Sequence, residues 1–234
     1  MTISLITPTA DRPLAFALCE QYMARQTLGY DEWIVADGGQ VPVVCTQPRQ
    51  VHLTERRPPG VLSFCGNLLA ALEVVTGDVI VCIEDDDWEA PTHLAQLTSQ
   101  FAPASVLIAG DDQQRYYHVG HRCWRRFDNV GASLCQTAFR RELVPLVRAV
   151  IRSCLLRQSY GIDAALWAAV PDLQQRSLIR RDTVVGIKGL PGQRGLGIGH
   201  RPDAQWTADP SLTTLRAWIG ADADTYAPFA RQAA

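Results

Sequence analysis

No apolar run in this chain is long enough to span a bilayer, and its first residues, MTISLITPTADRP, show no basic segment followed by an apolar one. The expectation is therefore neither a membrane span nor a secretory leader, and a cytoplasmic location. The seven cysteines (Cys19, Cys45, Cys65, Cys82, Cys123, Cys135 and Cys154) are odd in number and contain no CxxC pair. Most sit among apolar neighbours, so free buried thiols are expected in place of disulfides or zinc. There is no internal repeat, no low-complexity tract and no linker that would split 234 residues into separate domains. With 47% hydrophobic and 20% charged residues, the composition excludes a disordered, collagen-like or coiled-coil chain and supports one sizeable core.

Charge is present but unevenly spread. Between Gln113 and Arg201 there are fifteen Lys and Arg against five acids, while the remainder holds seven basic and nineteen acidic residues. A surplus of ten positive charges in one segment suggests that the second half meets an anionic partner and the first half manages cations. Solvated arginine-rich helix faces are the plainer alternative.

The apolar pattern alternates between strands and helices over the first half. Ile3–Thr7 reads as a buried strand, and Leu14–Gln26 as a helix opened by Pro13 and closed by Gly29. Trp33–Ala36 is a second strand ending at Asp37-Gly38-Gly39, followed by a short extension at Val51–Leu53 and a helix over Asn67–Thr76. The β-branched run Asp78–Ile83 predicts a central strand, Pro91–Phe101 a helix and Ser105–Ala109 a further strand. This order predicts an α/β fold, a mostly parallel central sheet flanked by helices, with ligands beyond the carboxyl ends of its strands. After residue 110 the pattern is irregular. Extended pieces near Arg115–Val119 and Ser133–Phe139 precede helices at Arg141–Gln158 and Asp163–Val170. A strand at Thr183–Ile187, a Gly-rich loop and short helices at Thr213–Ile219 and Thr225–Gln232 complete the chain.

The strongest chemical signal is IEDDDWEAP at 83–91, where four consecutive carboxylates (Glu84, Asp85, Asp86, Asp87) follow a buried strand. Such a density of like charge is tolerable around a divalent cation, and hard oxygen ligands suit Mn2+ or Mg2+. Capping the next helix would need one acid, not four. The loop at 188–201 gathers Gly189, Gly192, Gly195, Gly197 and Gly199 with Lys188, Arg194 and Arg201. Close backbone approach and positive charge suit a diphosphate there, a flexible surface loop being the alternative. It is not a Walker loop, because no Gly-Lys-Ser/Thr precedes a helix.

Taken together, ITPTADRP, WIVADGG, IEDDDWEAPTHL, GASLCQTAFRREL and YGIDAALW resemble, in this order, the motifs of GT-A-fold glycosyltransferases, family 2 in particular. The likeness runs over residues 3–200. It implies a single GT-A (Rossmann-like) domain over 1–234, with a nucleotide-sugar-binding half at 1–110 and an acceptor-binding half at 111–234. It also implies a metal-dependent, inverting transfer of a hexose from a nucleotide sugar, a UDP-sugar first, to an acceptor hydroxyl.

The resemblance further implies residue roles. Thr7, Pro8 and Asp37 would border the base and Asp11 the ribose, with Thr9, Gly38 and Asn67 in the same donor set. Asp86 matches the metal-binding acid of the acidic motif, with Asp87 and His200 as further metal ligands. Glu84 stands where the family has an Asp, which leaves open whether Glu84–Asp86 or Asp85–Asp87 is the working pair. Glu84, Asp85, Lys188 and Arg194 are placed on the donor. Asp163, just after Gly161, matches the family's catalytic Asp. One carboxylate suffices for an inverting transfer, because the cation neutralises the diphosphate leaving group, whereas a hydrolase needs two. An N-cap is the plainer role for Asp163.

The acceptor side is read from RYYHVGHRCWRRFDN, 115–129, where Arg115, Tyr117, Trp124, Arg125 and Arg126 interleave cations with aromatic rings. That mixture suits phosphates and stacked bases, so the expected acceptor is a 5-hydroxymethylpyrimidine base of phage DNA. A cell-envelope or capsule glycan and a small molecule are the alternatives. A sugar nucleotidyltransferase and a non-catalytic nucleotide- or nucleic-acid-binding module are the other classes. The Arg141–Gln158 helix is amphipathic and basic, which fits core packing better than a lipid surface.

Overall fold

The apolar runs of the first half pair side by side because each carries β-branched or aromatic residues on both of its faces. In the computed structural model, which describes residues 1–127 and 131–229, these are β1 (Ile3–Thr9), β2 (Glu32–Asp37), β3 (Gln50–Thr54) and β4 (Val79–Cys82). Helix α1 (Pro13–Ala24) joins β1 to β2, and α2 (Val61–Val74) joins β3 to β4. The chain continues through β5 (Asp87–Glu89), α3 (His93–Thr98), β6 (Ile108–Asp111), β7 (Gln114–His118), β8 (Cys123–Phe127) and β9 (Thr137–Arg140). It closes with α4 (Val144–Leu156), α5 (Ile162–Ala169), β10 (Arg176–Ile179), β11 (Val184–Lys188), β12 (Thr207–Ala208) and α6 (Thr213–Ile219). A run of 3-10 helix occupies Gly220–Phe229.

The main sheet has seven strands in the order β10-β6-β9-β4-β1-β2-β3, with β4 in the middle, as its β-branched sequence predicts. All pairings are parallel except those of β9, which runs antiparallel to both β4 and β6. Alternate residues feed two cores. Leu5, Trp33, Val35, Val79 and Val81 meet α1, α3 and α6 on one face, while Ile6, Ile34, Ile80 and Cys82 meet α2, α4 and α5 on the other. Because β9 sits between β4 and β6, and β10 lies at the edge, residues beyond 110 complete the first sheet, and the division at 110 does not separate two layers.

The second sheet, in the order β12-β8-β7-β11-β5, was not expected from the sequence. Its strand β8 lies within the basic aromatic stretch, and β5 is made of the acidic motif itself. Helix α2 starts six residues before the expected Asn67, taking in Val61 and Phe64 as partners of the second core. The expected helix at Thr225–Gln232 is 3-10 as far as Phe229, and its remainder lies outside the described residues, as do Asp128 and Asn129 of the acceptor stretch. Among the described residues no helix is long and apolar enough to cross a membrane. The seven cysteines are free, and six of them are buried.

Candidate active site

The acids at 84–87 leave the carboxyl end of β4 and turn into β5, which pairs antiparallel with β11 through Gly186 opposite Asp87. Lys188 lies two residues beyond that pair on β11, so its side chain emerges on the same face as Asp87. This single lysine of the chain is buried and donates from Nζ to Asp86 Oδ1 at 2.8 Å and to Asp87 Oδ1 at 2.6 Å, with Glu84 Oε2 at 3.9 Å. Arg12, from the turn after β1, donates to Asp86 Oδ2 at 2.7 Å and contacts Asp85 Oδ1. Thr9 donates to the other Asp85 oxygen at 2.6 Å. The protein thus supplies two cations of its own to the four acids.

Burial decides which acids keep their charge. It pushes Glu84 up to about 8 and Asp85 to about 6, with Arg12 opposing the shift at Asp85. Asp87 is also raised by burial, against the pull of Lys188. At Asp86 the burial penalty is outweighed by Lys188, Arg12 and His200, which hold this carboxylate well below its ordinary value. Burial opposes the charge of Lys188, but Asp86, Asp87 and Glu84 drive its pKa well above the ordinary value. His200 Nε2 lies 3.3 Å from Asp86 Oδ2, and burial lowers its pKa despite that neighbour.

The donor set fits a hard divalent ion. Asp87 Oδ2 is buried without a hydrogen bond of normal geometry, and Glu84, only partly exposed, lies in the same cluster. Ligand atoms of Glu84, Asp87 and Cys135 lie within 4.8 Å of one another. Asp86 meets His200 through Oδ2, the oxygen that Lys188 does not contact. The expected triad of Asp86, Asp87 and His200 is therefore split, because Lys188 stands between Asp86 and Asp87. Cys135 was missed, since a lone buried cysteine in sequence carries no mark of a neighbouring acid.

Glu84, Asp86, Lys188 and His200 open onto a cavity of about 300 Å³, which Asp87 and Cys135 do not line. It is lined by Pro8, Thr9, Ala10, Ser63, Phe64 and Asn67, by Glu84, Asp86, Arg12 and Lys188, and by Gln114, Tyr116, Ser133 and Tyr160–Asp163, with Lys188 Nζ 5.6 Å from the Tyr116 ring. The loop from Gln193 to His200 covers it, fastened where Gln193 N donates to Asp11 O at 3.1 Å. Arg194 lines this cavity. Arg201 lies instead in an adjoining one of about 310 Å³ that shares Arg12, Asp86, Arg194 and His200. Asp163 stands in the first turn of α5, and burial raises its pKa against the Ala164 N–H that donates to Oδ1 at 2.8 Å.

Other expected donor residues are committed to the framework. Thr7 accepts from Trp33 Nε1 at 2.9 Å, inside the core. Asp37 accepts from Gly39 N at 2.8 Å and Val43 N at 2.7 Å, fastening the turn after β2. Asp11, at φ 50°, accepts from Gln40 N at 2.8 Å. Gly38 donates to Thr9 O, as does the Asn67 side chain, and a Cβ on Gly38 would stand 2.6 Å from Ser63 Oγ. Asp85 points inward and does not line the cavity.

The five expected acceptor residues are not brought to the cavity. Strand alternation sends Gln114 and Tyr116 toward it and buries Arg115 and Tyr117 on the opposite face of β7. Arg115 donates to Asp182 O and Val184 O, and Tyr117 OH to Asp209 O. Trp124 packs edge-on to Trp218 at 5.5 Å, and Arg126 lies over the same ring. Arg125 is paired with Asp203. On β8 it is Phe127, another aromatic of the same basic stretch, that lines the cavity, edge-on to Tyr116 at 5.3 Å.

With this geometry in view, three solved structures are informative. The chain matches the S. aureus protein TarS over 81% of its own length at 13% identity and TM-score 0.54, spanning only 37% of that protein. It matches TarS 1–349 in complex with UDP over 80% of this chain and 60% of that one, at 12% identity and TM-score 0.53. The mannosyltransferase PcManGT from Pyrobaculum calidifontis, in complex with GDP-Man and Mn2+, matches over 97% of this chain and 72% of its own, at 16% identity and TM-score 0.54. No family model and no curated protein matches. At these identities the likeness establishes the architecture: the chain has a GT-A glycosyltransferase fold.

Proposed function

We propose that this protein is a divalent-metal-dependent glycosyltransferase that moves a hexose from a nucleoside-diphosphate sugar to an acceptor hydroxyl with inversion. The observation that carries the reading is the sharing of one cavity by the acidic motif, Lys188, His200 and Asp163. A UDP-sugar is the first donor to test and GDP-mannose the second, following the ligands of the two similar structures.

In this reading the nucleoside lies against Pro8, Phe64 and Asn67. Glu84 and Asp86, which line the cavity, with His200 beside Asp86, would hold the cation, which when bound supplies charge neutralisation at the diphosphate. Arg12 and Lys188 donate to the same phosphate oxygens once these enter the cavity. Asp163 takes the proton of the acceptor hydroxyl as that oxygen bonds to the anomeric carbon. The bond from that carbon to the diphosphate oxygen breaks, and its electron pair leaves with the nucleoside diphosphate. The raised pKa of a buried carboxylate makes it a better base than an exposed one.

The test is release of nucleoside diphosphate from UDP-glucose and from GDP-mannose, with Mn2+ and with EDTA. Mn2+-dependent release that is lost in Asp86→Asn is expected. Turnover indifferent to both EDTA and that substitution would refute the assignment.

A further inference from the structure

The acidic motif meets one further group that the cation set of Glu84, Asp86 and His200 leaves unused. Cys135 lies in the 3-10 turn Leu134–Gln136, which leads directly into β9. That strand runs antiparallel to β4, with Ala138 opposite Val81, and the same register carried three residues further brings Cys135 level with Glu84. The thiol is thereby set against the acids that leave β4. Cys135 Sγ, a Glu84 oxygen and an Asp87 oxygen lie within 4.8 Å of one another. Tetrahedral ligands at zinc distances of about 2.0–2.3 Å stand about 3.5 Å apart, so a small inward movement closes all three on one ion.

The state of each ligand suits this use. Lys188 occupies Asp87 Oδ1 at 2.6 Å, which leaves the buried Oδ2 as the oxygen without a hydrogen bond of normal geometry. Asp87 is 1% exposed and Cys135 3% exposed, whereas Glu84 lines the cavity and gives an ion its way in. Of the seven cysteines, Cys135 alone stands in such a group among the described residues. Its sulfur also changes the preference of the site. Oxygen and imidazole donors suit a hard ion such as Mn2+, whereas a thiolate favours softer ions such as Zn2+ and Cd2+.

We propose that Cys135, Asp87 and Glu84 form an inner site for a thiophilic divalent cation, Zn2+ first, distinct from the cation that faces the diphosphate. On binding, a sulfur–metal bond replaces the S–H bond and the thiol proton is released to solvent. Water takes the fourth place of the tetrahedron. Glu84 belongs to both sets, so an ion in the inner site withdraws it from the outer one. Zn2+ is thus an inhibitor of Mn2+-dependent transfer. That consequence rests on the transferase reading above, whereas the inner site stands on the geometry alone.

The experiment titrates the full chain with Cd2+, a stand-in for zinc whose thiolate complexes absorb in the ultraviolet, with calorimetry alongside. The wild type is expected to take up Cd2+ with the thiolate band. Cys135→Ser should lose the band and weaken Cd2+ binding about tenfold or more, while Cys45→Ser, at the half-buried cysteine, keeps both. Mn2+ binding should be equal in Cys135→Ser and wild type, which also shows that the variant is folded. Glu84→Gln should weaken Cd2+ and Mn2+ together, as a ligand common to both sites. The proposal is overturned if no thiolate band appears, if the band survives in Cys135→Ser, or if Glu84→Gln weakens Mn2+ alone. Equal loss of Mn2+ and Cd2+ in Cys135→Ser also overturns it, by making the thiol a ligand of a single ion. Zn2+ should inhibit Mn2+-dependent release of nucleoside diphosphate more strongly in the wild type than in Cys135→Ser, and equal inhibition refutes the shared role of Glu84. Release without the thiolate band sinks the inner site alone, and the band without release sinks the transferase reading alone.

Discussion

Lys188→Met is the perturbation that bears most directly on how the acidic motif is held. Lys188 is the nearer of two protein cations to Asp87 and shares Asp86 with Arg12, all within a buried cluster. Removing one partner of a buried ion pair costs about 3–5 kcal/mol, because the remaining charges are left uncompensated. For a chain of this size that corresponds to a fall in Tm of about 6–20 °C. Protonation offers the cluster an escape. Burial already raises Glu84 to about 8, so the folded state binds a proton more readily than the unfolded state does. Stability from this group therefore rises as pH falls from about 8 toward the ordinary carboxylate range. Without Lys188 the other acids join it, and the loss should be larger at about pH 8 than at about pH 5. Urea unfolding of wild type and variant at both pH values measures the difference. Glu84→Gln in the Lys188→Met background should restore part of the loss, because it removes one of the stranded charges. Mn2+ at about a hundred times its Kd stabilises a folded state by about 2.7 kcal/mol, and a variant freed of the competing ammonium should gain more than the wild type from equal metal. A loss below about 1 kcal/mol, the same at both pH values, would show that the lysine is not what balances these acids.

Three further outcomes follow from the same geometry. Asp163→Asn should cut sugar transfer about 10²–10⁴-fold with donor affinity intact, and should abolish the acid limb of the wild-type pH profile, which lies above the ordinary Asp range because burial raises this carboxyl. His200→Ala should weaken Mn2+ binding about tenfold or more by calorimetry, through loss of an imidazole beside Asp86. Gly186→Ala should destabilise the fold by about 1–3 kcal/mol in urea unfolding, because its Cβ would stand 2.3 Å from the Tyr116 ring.

The main sheet was legible because its strands are marked locally. Val79–Cys82 is apolar on both faces, and only a central strand is buried on both. The acidic motif was legible too, since four adjacent carboxylates need an explanation wherever they fall. What neutralises them was not legible. Lys188 lies 102 residues from Asp86 in sequence, and the pairing exists only because β11 sets itself beside β5. Arg12 could have been suspected, standing just beyond the first strand, where an α/β sheet gathers its ligands. Strand β8 was hidden by composition. Cys-Trp-Arg-Arg-Phe reads as a basic aromatic segment, yet alternation sends Trp124 and Arg126 to Trp218 and leaves Phe127 at the cavity. Residue types can be counted from sequence, whereas the face each occupies depends on register.

The positive surplus between Gln113 and Arg201 has a different explanation from the one its size invites. Much of it is spent on carbonyl oxygens. Arg115 donates to Asp182 O, Arg122 to Pro210 O and Ala227 O, Arg140 to Phe101 O and Val106 O, and Arg141 to Thr76 O. Arg176 does the same at Trp167 O and Val170 O. These carbonyls belong largely to strand ends, helix ends and loops, where regular ladders leave acceptors without backbone partners. A guanidinium presents five donors in a fixed fork and keeps its charge when buried, so one arginine closes two such acceptors that lysine would meet less well. The irregular second half therefore uses arginine as a structural donor, while Lys188, the single lysine, places a compact charge between two carboxylates. An anionic acceptor was inferred from net charge, but net charge measures supply. These five guanidiniums are engaged within the fold, and none of them lines the cavity.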